Sequence, residues 1–266
     1  DLGGMAGAGT PDHALYVGGM ILRGTNGNIG FIVQNWGNAI RGHESWDTSR
    51  RNHILYETPT LAGFNIQAAY AEDNYWDIAL RYAGEHHGFR LAFGIGYQED
   101  SEFNGGAQAG ENGTGIFCTT RCDAKTKELK GSASILHVAT GLFLTGSAGT
   151  RELDATIPNA YLGPDAEYWH LAWGVRRNFF GFGDTVLFGE YGEHSGGLAQ
   201  ASFFTANVNA VSDNTVTNWG RGINQYIDAA AMEVFLTYKN YSIDQGPEFI
   251  PLSDLQVLIG GARVNF

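Results

Sequence analysis

At 266 residues the chain has room for one large domain or two small ones. A net charge of −12 with no basic patch or stripe excludes a nucleic-acid binder. No run of eighteen apolar residues occurs, so no helix of this chain crosses a bilayer. A β-barrel escapes that test, because its lipid-facing and lumen-facing residues alternate and cancel. Thirty-eight glycines and 13% aromatics, with only 6 Pro and 3 Met, suit many short strands and tight turns, in a barrel or in a soluble β-sandwich. No secretory leader opens the sequence, which therefore reads as mature or truncated.

Residues 1–51 are loop-rich. Ala14–Arg23 and Asn28–Trp36 read as strands, while Gly3–Pro11 and Asn38–Ser49 read as loop. From Asn52 onward a repeating unit takes over. Phe64, Ile66, Ala68 and Tyr70 alternate with Asn65, Gln67 and Ala69. Trp76, Ile78, Leu80 and Tyr82 alternate with Asp77, Ala79 and Arg81, and then Phe89, Leu91, Phe93, Ile95 and Tyr97 with Arg90, Ala92, Gly94, Gly96 and Gln98. Trp169 to Arg176 and Met232 to Lys239 repeat the pattern. Period two means a strand with one apolar and one polar face. Aromatics at both ends of the apolar face suit the two membrane interfaces: Trp76, Tyr82, Phe89, Tyr97, Phe64, Tyr70 and Trp169 are the expected girdle. A soluble sandwich also alternates, but its buried face lacks such bracketing, and arginines at mid-strand fit a water-filled lumen better.

Strands are expected over 52–58, 63–72, 75–84, 88–98, 128–138, 140–149, 166–177, 184–193, 216–227, 229–242 and 255–266. Short links follow the odd-numbered ones and longer links most of the even-numbered ones, which puts one end of a barrel at the periplasm and the other outside. Cys118 and Cys122, the only cysteines, lie in the longest of these links. A local disulfide is the preferred reading in an oxidising compartment, since a metal site would need further ligands that the neighbourhood lacks. The tail Leu255–Phe266 keeps Leu258, Ala262, Val264 and Phe266 in step, and the terminal Phe266 reads as the assembly signal of a closing barrel strand.

Ser49–Phe64, Tyr75–Gly84, Gly88–Tyr97 and the tail from Asp228 to Phe266 resemble general porins of Gram-negative bacteria, alphaproteobacterial types in particular. The resemblance covers most of residues 49–266. It implies an all-β fold, a transmembrane antiparallel β-barrel of about sixteen strands, of which this chain holds the C-terminal eleven to thirteen. It further implies an integral outer-membrane homotrimer, in contact with lipid and lipopolysaccharide, that passes small polar solutes. On this reading residues 1–266 are one barrel domain lacking its opening strands, and Asp1–Pro11 is the remainder of the inward-folded third loop.

Such a channel needs no catalytic group and no cofactor; Ca or Mg at the acidic loops is the one ion expected. It needs a hydrated, charged constriction, where guanidiniums opposite carboxylates create a transverse field. Arg51, Arg81 and Arg90, with Asp77 as acidic partner, are the first candidates to line it; Arg176, Lys239 and Arg263 lie nearer a rim. The alternative role for these residues is an ion-pair network that holds the wall in shape. More cations than anions in this inward set favour anions, whereas the total of −12 favours cations. Two other functions compete with a porin: a rim-site hydrolase, for which no Ser-His or Asp-His pair can be assigned, and an adhesin or structural barrel using the long link 99–127.

Overall fold

The computed structural model of the chain describes residues 52–72, 74–101, 124–155, 165–195, 215–244 and 253–264. They form one eleven-stranded sheet in which every strand is antiparallel to its neighbour in sequence. The strands are β1 His53–Glu57, β2 Phe64–Ala71, β3 Tyr75–His86, β4 Phe89–Asp100, β5 Ala124–His137 and β6 Leu142–Ala155. They continue with β7 Ala166–Arg177, β8 Thr185–Ser195, β9 Thr215–Ile227, β10 Met232–Asp244 and β11 Leu255–Val264. Among the described residues no pairing joins β1 to β11, so the sheet has two edges.

Links after odd-numbered strands are tight. Ala62–Gly63 and His87–Gly88 have φ of 50°, 89°, 49° and 81°, the left-handed pairs that join twisted antiparallel strands in two residues. The strand ends at the opposite side, where the short 72–74 connection lies, are those separated in sequence by the longer stretches 101–123, 156–165, 196–214 and 245–254. Two sets of strand ends follow, a short-link end and a long-link end.

Several strands differ in length from expectation. β5 starts four residues early and β6 runs six residues further, because Glu128 opposes Arg151 and Lys127 opposes Glu152, so charge pairing continues the ladder past the apolar stretch. β10 begins at Met232 because Asp228–Ala230 winds into a 3-10 turn closed by Ala231 at φ 45°. Residues 1–51, with their two expected strands, lie outside the described residues, as does Phe266.

The register sorts side chains into two faces. Ile66, Leu80, Ile95 and Gly131 oppose one another across β2–β5, and so do Tyr70 with Trp76 and Tyr82 with Phe93. Every large apolar strand residue left exposed, from Ile54 at 79% to Leu258 at 69%, lies on this face, with Leu55 the exception. On the other face Glu128, Arg151, Glu190, Glu233 and Lys239 are all buried. Burial therefore marks the polar face as the concave one. A one-residue slip of any strand would exchange the two sets.

Part of the concave face is apolar. Leu136, Phe143, Val186 and Phe188 cluster toward the short-link end with Tyr226 against them. Glycines make this packing possible: a Cβ on Gly222 would stand 2.6 Å from the Phe188 ring, and one on Gly261 2.7 Å from the Phe235 ring. Large side chains lie flat over a glycine of the following strand.

Candidate pore wall

Toward the long-link end, one hydrogen-bonded row places Asp77, Gln98, Glu128 and Arg151 side by side on β3 to β6. Tyr75 Oη donates to Asp77 Oδ2 at 2.9 Å, Gln98 Nε2 to Glu128 Oε2 at 2.6 Å and Arg151 Nε to Glu128 Oε1 at 2.6 Å. Lys130 Nζ stands 3.9 Å from Glu128 Oε2. Glu128 is 4% exposed and Arg151 6%, so this pair is shielded and its charges cancel locally.

At mid-wall Lys239 Nζ meets Glu190 Oε1 at 2.7 Å, both side chains nearly inaccessible. The two residues belong to β10 and β8, with Gly220 of β9 between them in the register. That glycine creates the contact, since a Cβ there would lie 2.6 Å from Glu190 Oε1. His170 Nε2 approaches the other carboxylate oxygen at 3.7 Å. A buried pair of this kind holds three strands in one arrangement rather than adding much net stability.

At the short-link end Arg90 Nε donates to Glu85 at 2.9 Å and Arg176 Nε to Asp184 at 2.7 Å. The Arg176 guanidinium also lies 5.3 Å above the Tyr226 ring. Arg263 stands 3.7 Å from Glu233, which accepts a 3.1 Å hydrogen bond from Asn224.

One cation of the concave face is different. Arg81 is exposed and has no ion pair or hydrogen bond among the described residues. Its register partners are Gly94, with a would-be Cβ 3.8 Å from Arg81 Cγ, and Asn65, whose amide is turned to the Thr58 carbonyl at 2.7 Å; Ala79, Ala83 and Gly96 complete its surroundings. Small neighbours leave the guanidinium standing into open space. Asp77, two pairs along the same strand, is engaged by Tyr75.

The structure thus separates the candidate residues. Arg81 is free at mid-wall, Arg90, Arg176 and Arg263 sit at the short-link mouth in pairs, and Lys239 is locked to Glu190. Arg51, Cys118 and Cys122 lie outside the described residues, and so do most of the long links on which Ca or Mg was expected. On the apolar face Trp76 and Tyr97 approach to 5.3 Å and Tyr70 pairs with Trp76 at the long-link side, while Phe64 and Tyr82 pack at a tilt with centroids 4.6 Å apart and Phe89 meets His137 at the other. Trp169 lies 5.4 Å from Tyr191, and Trp219 lies 5.4 Å from Tyr238.

Several residues that shape the two faces were missed by sequence reasoning. Glu128 fell at the boundary of its expected strand and Arg151 in the link expected after 140–149, while Glu190 was readable only as a polar-phase residue of the strand expected over 184–193. Phe179, Phe180 and Phe182, all exposed in the β7–β8 turn with Phe180 stacked on Phe182 at 5.8 Å, stand outside any alternating strand. Arg221 lies on the apolar face, exposed, opposite Gly189 and Tyr238.

No family model matches the chain, and no curated protein does. Solved structures do resemble it. OmpT of Vibrio cholerae in its trimer form aligns at 14% identity and a TM-score of 0.47, over 79% of this chain and 62% of that one. A BenF-like porin from Pseudomonas fluorescens Pf-5 aligns at 13% and 0.49, over 81% and 56%. An anion-selective porin from Comamonas acidovorans aligns at 13% and 0.46, over 79% and 56%. The chain spans less than two thirds of the length of each of these three proteins, and its function has to be read from its own two faces.

Proposed function

We propose that the chain is wall of an outer-membrane porin of the general type, passing small hydrophilic solutes passively through a homotrimer. The observation that supports this reading is the inversion of burial. Isoleucines, leucines and tryptophans stand exposed on one face while glutamates, an arginine and a lysine are buried on the other. Left in water, each such half-exposed side chain would forgo roughly half of the about 1.5–3 kcal/mol that full burial gives, a cost removed by acyl chains. A sheet satisfies its backbone polar groups between strands, as a hydrocarbon surrounding demands. Aromatic pairs near the two ends of the apolar face suit the two interfaces.

Within the wall, Arg81 is the residue that meets passing solutes. Arg90, Lys130, Arg151, Arg176, Lys239 and Arg263 each have a carboxylate within 4 Å. The field of the lumen at mid-wall then comes from an uncompensated guanidinium, which favours anions. An alphaproteobacterial origin and acidic long links that bind Ca or Mg belong to the same reading. Single-channel recording of the membrane-extracted protein in a planar bilayer under a salt gradient tests it. Openings in steps of three and a reversal potential of anion-selective sign are expected; folded protein that carries no current would refute the channel.

A further inference from the structure

We propose that the apolar face carries a seat for an amine-bearing membrane lipid, over Gly131 and Ala148 near the long-link end. The proposal rests on the porin reading, which puts that face in the bilayer, and adds a partner to it. Register sets Ile95, Gly131, Ala148 and Trp169 side by side across β4 to β7. One rung nearer the long-link end lie Tyr97, Leu129, Thr150 and Glu167. Large side chains thus flank a floor made of a glycine and an alanine. A depression of about 500 Å³ results, bounded by Ile95 and Leu129 on one side and by Trp169, Glu167 and Glu193 on the other. Leu171 fills the next rung toward mid-wall, where a Cβ on Gly146 would stand 3.1 Å from its Cδ2, so the depression stops there. The volume is that of an ordinary ligand site and takes a segment of alkyl chain.

Charge complementarity identifies the occupant. Glu193 opposes Trp169, and Glu167 lies two residues before Trp169 on the same face, so the two carboxylates are diagonal neighbours across β7 and β8. Tyr191 Oη donates to Glu193 Oε1 at 2.7 Å and holds that carboxylate at the edge of the depression. Neither glutamate has a cation within 4 Å among the described residues. Lys125 and Lys127, the lysines of the same face at this level, are taken by Glu99 at 2.7 Å and Glu152 at 3.9 Å. Trp169 and Tyr191, 5.4 Å apart, put this level at an interface. Two uncompensated carboxylates above an apolar floor fit a headgroup ammonium with its acyl chain below it. A purely anionic headgroup is repelled there, and an uncharged one gains nothing from the glutamates.

Native mass spectrometry of the folded, full-length protein tests this without relying on conduction. The protein is released from nanodiscs made of equal parts phosphatidylethanolamine and phosphatidylglycerol. Retained phosphatidylethanolamine is expected to exceed phosphatidylglycerol by about fivefold, the factor that one exposed ion pair supplies at best. The double variant Glu167→Gln/Glu193→Gln should abolish that preference, and Ala148→Leu, which fills the floor, should lower retention of the amine lipid. Glu85→Gln, at the short-link end, should leave both unchanged. Should the double variant fail to fold, Glu193→Gln alone is expected to reduce the preference by a smaller factor. No headgroup preference in the wild type, or a preference that survives in every folded variant, would overturn the proposal. So would a loss of trimers in Ala148→Leu with lipid retention unchanged, which assigns the depression to a second copy of the chain. Selective retention by a protein that conducts nothing refutes the porin reading and leaves the seat standing; conduction without the preference does the reverse.

Discussion

The wall has two unlike halves. Around β3 and β4 the concave face carries Ala79, Ala83, Ala92, Gly94 and Gly96, and Arg81 stands free among them. Around β8 to β10 the same face carries Phe188, Glu190, Asn224, Lys239 and Tyr241, all buried and interlocked over glycines. Both halves have the same period and the same phase. Side-chain size and cross-strand partners decide which cations stand free on the concave face and which serve the scaffold. Arg81 makes no pair because its polar neighbours are engaged elsewhere, Asn65 with the Thr58 carbonyl and Asp77 with Tyr75, whereas a lysine one glycine away from a glutamate is captured.

Breaking the packed half has the largest expected effect. Glu190→Ala strands Lys239 in a buried site, at a cost of about 3–5 kcal/mol. Loss of the heat-resistant folded band and a lower denaturant midpoint are the readouts. The double variant Glu190→Met/Lys239→Met is expected to recover most of that loss, and a double variant as damaged as the single one would show that the ion pair is not the cause.

Next come two changes one residue apart on β3. Leu80→Arg puts a charge on the apolar face, at about 2–4 kcal/mol near the bilayer midplane. Ala79→Arg places the same group beside Arg81, and should fold and change conductance instead. Equal destabilisation by both would show that the two faces have been assigned the wrong way round.

Arg81→Gln sharpens the contrast between the halves at a smaller scale. A unit charge about 4 Å from a passing ion in water is worth about 1 kcal/mol, so anion preference should fall by up to about fivefold with stability unchanged. Arg151→Gln, which removes a charge already cancelled by Glu128, should shift the reversal potential less. A larger shift from Arg151 than from Arg81 would reverse the assignment of the free cation.

Much of this was legible in the chain. Alternation in Trp76–Tyr82 and Phe89–Tyr97 is local, and it carried the all-β architecture, the strand order and the phase of Arg81. Availability of a charge is not local. The register that sets Glu190 opposite Gly220 and Gly220 opposite Lys239 involves residues 30 and 19 positions apart in the sequence, and no periodicity encodes it. Strand ends were misread for a related reason: the apolar alternation stops near Leu129, while the β5–β6 ladder continues on charges. Aromatics in the β7–β8 turn were invisible because a turn has no phase.

Arg221 is the finest test of the two-face reading, because it breaks the pattern from the apolar side. It lies on β9 between Trp219 and Ile223, exposed, with no ion pair or hydrogen bond among the described residues. At the bilayer midplane such a residue would be as costly as Leu80→Arg. Its register partner Tyr238, however, packs its ring against Trp219 at a tilt, so Arg221 sits level with an aromatic pair of the kind that suits an interface. A long side chain there lifts its charge toward the headgroups, and the penalty falls to about 0–1 kcal/mol. Arg221→Leu should therefore raise stability in lipid by no more than that amount and leave conductance alone. A gain of several kcal/mol would place Arg221 deep in hydrocarbon and move the membrane boundary, while a clear loss would mean that its guanidinium has a partner in the assembled protein.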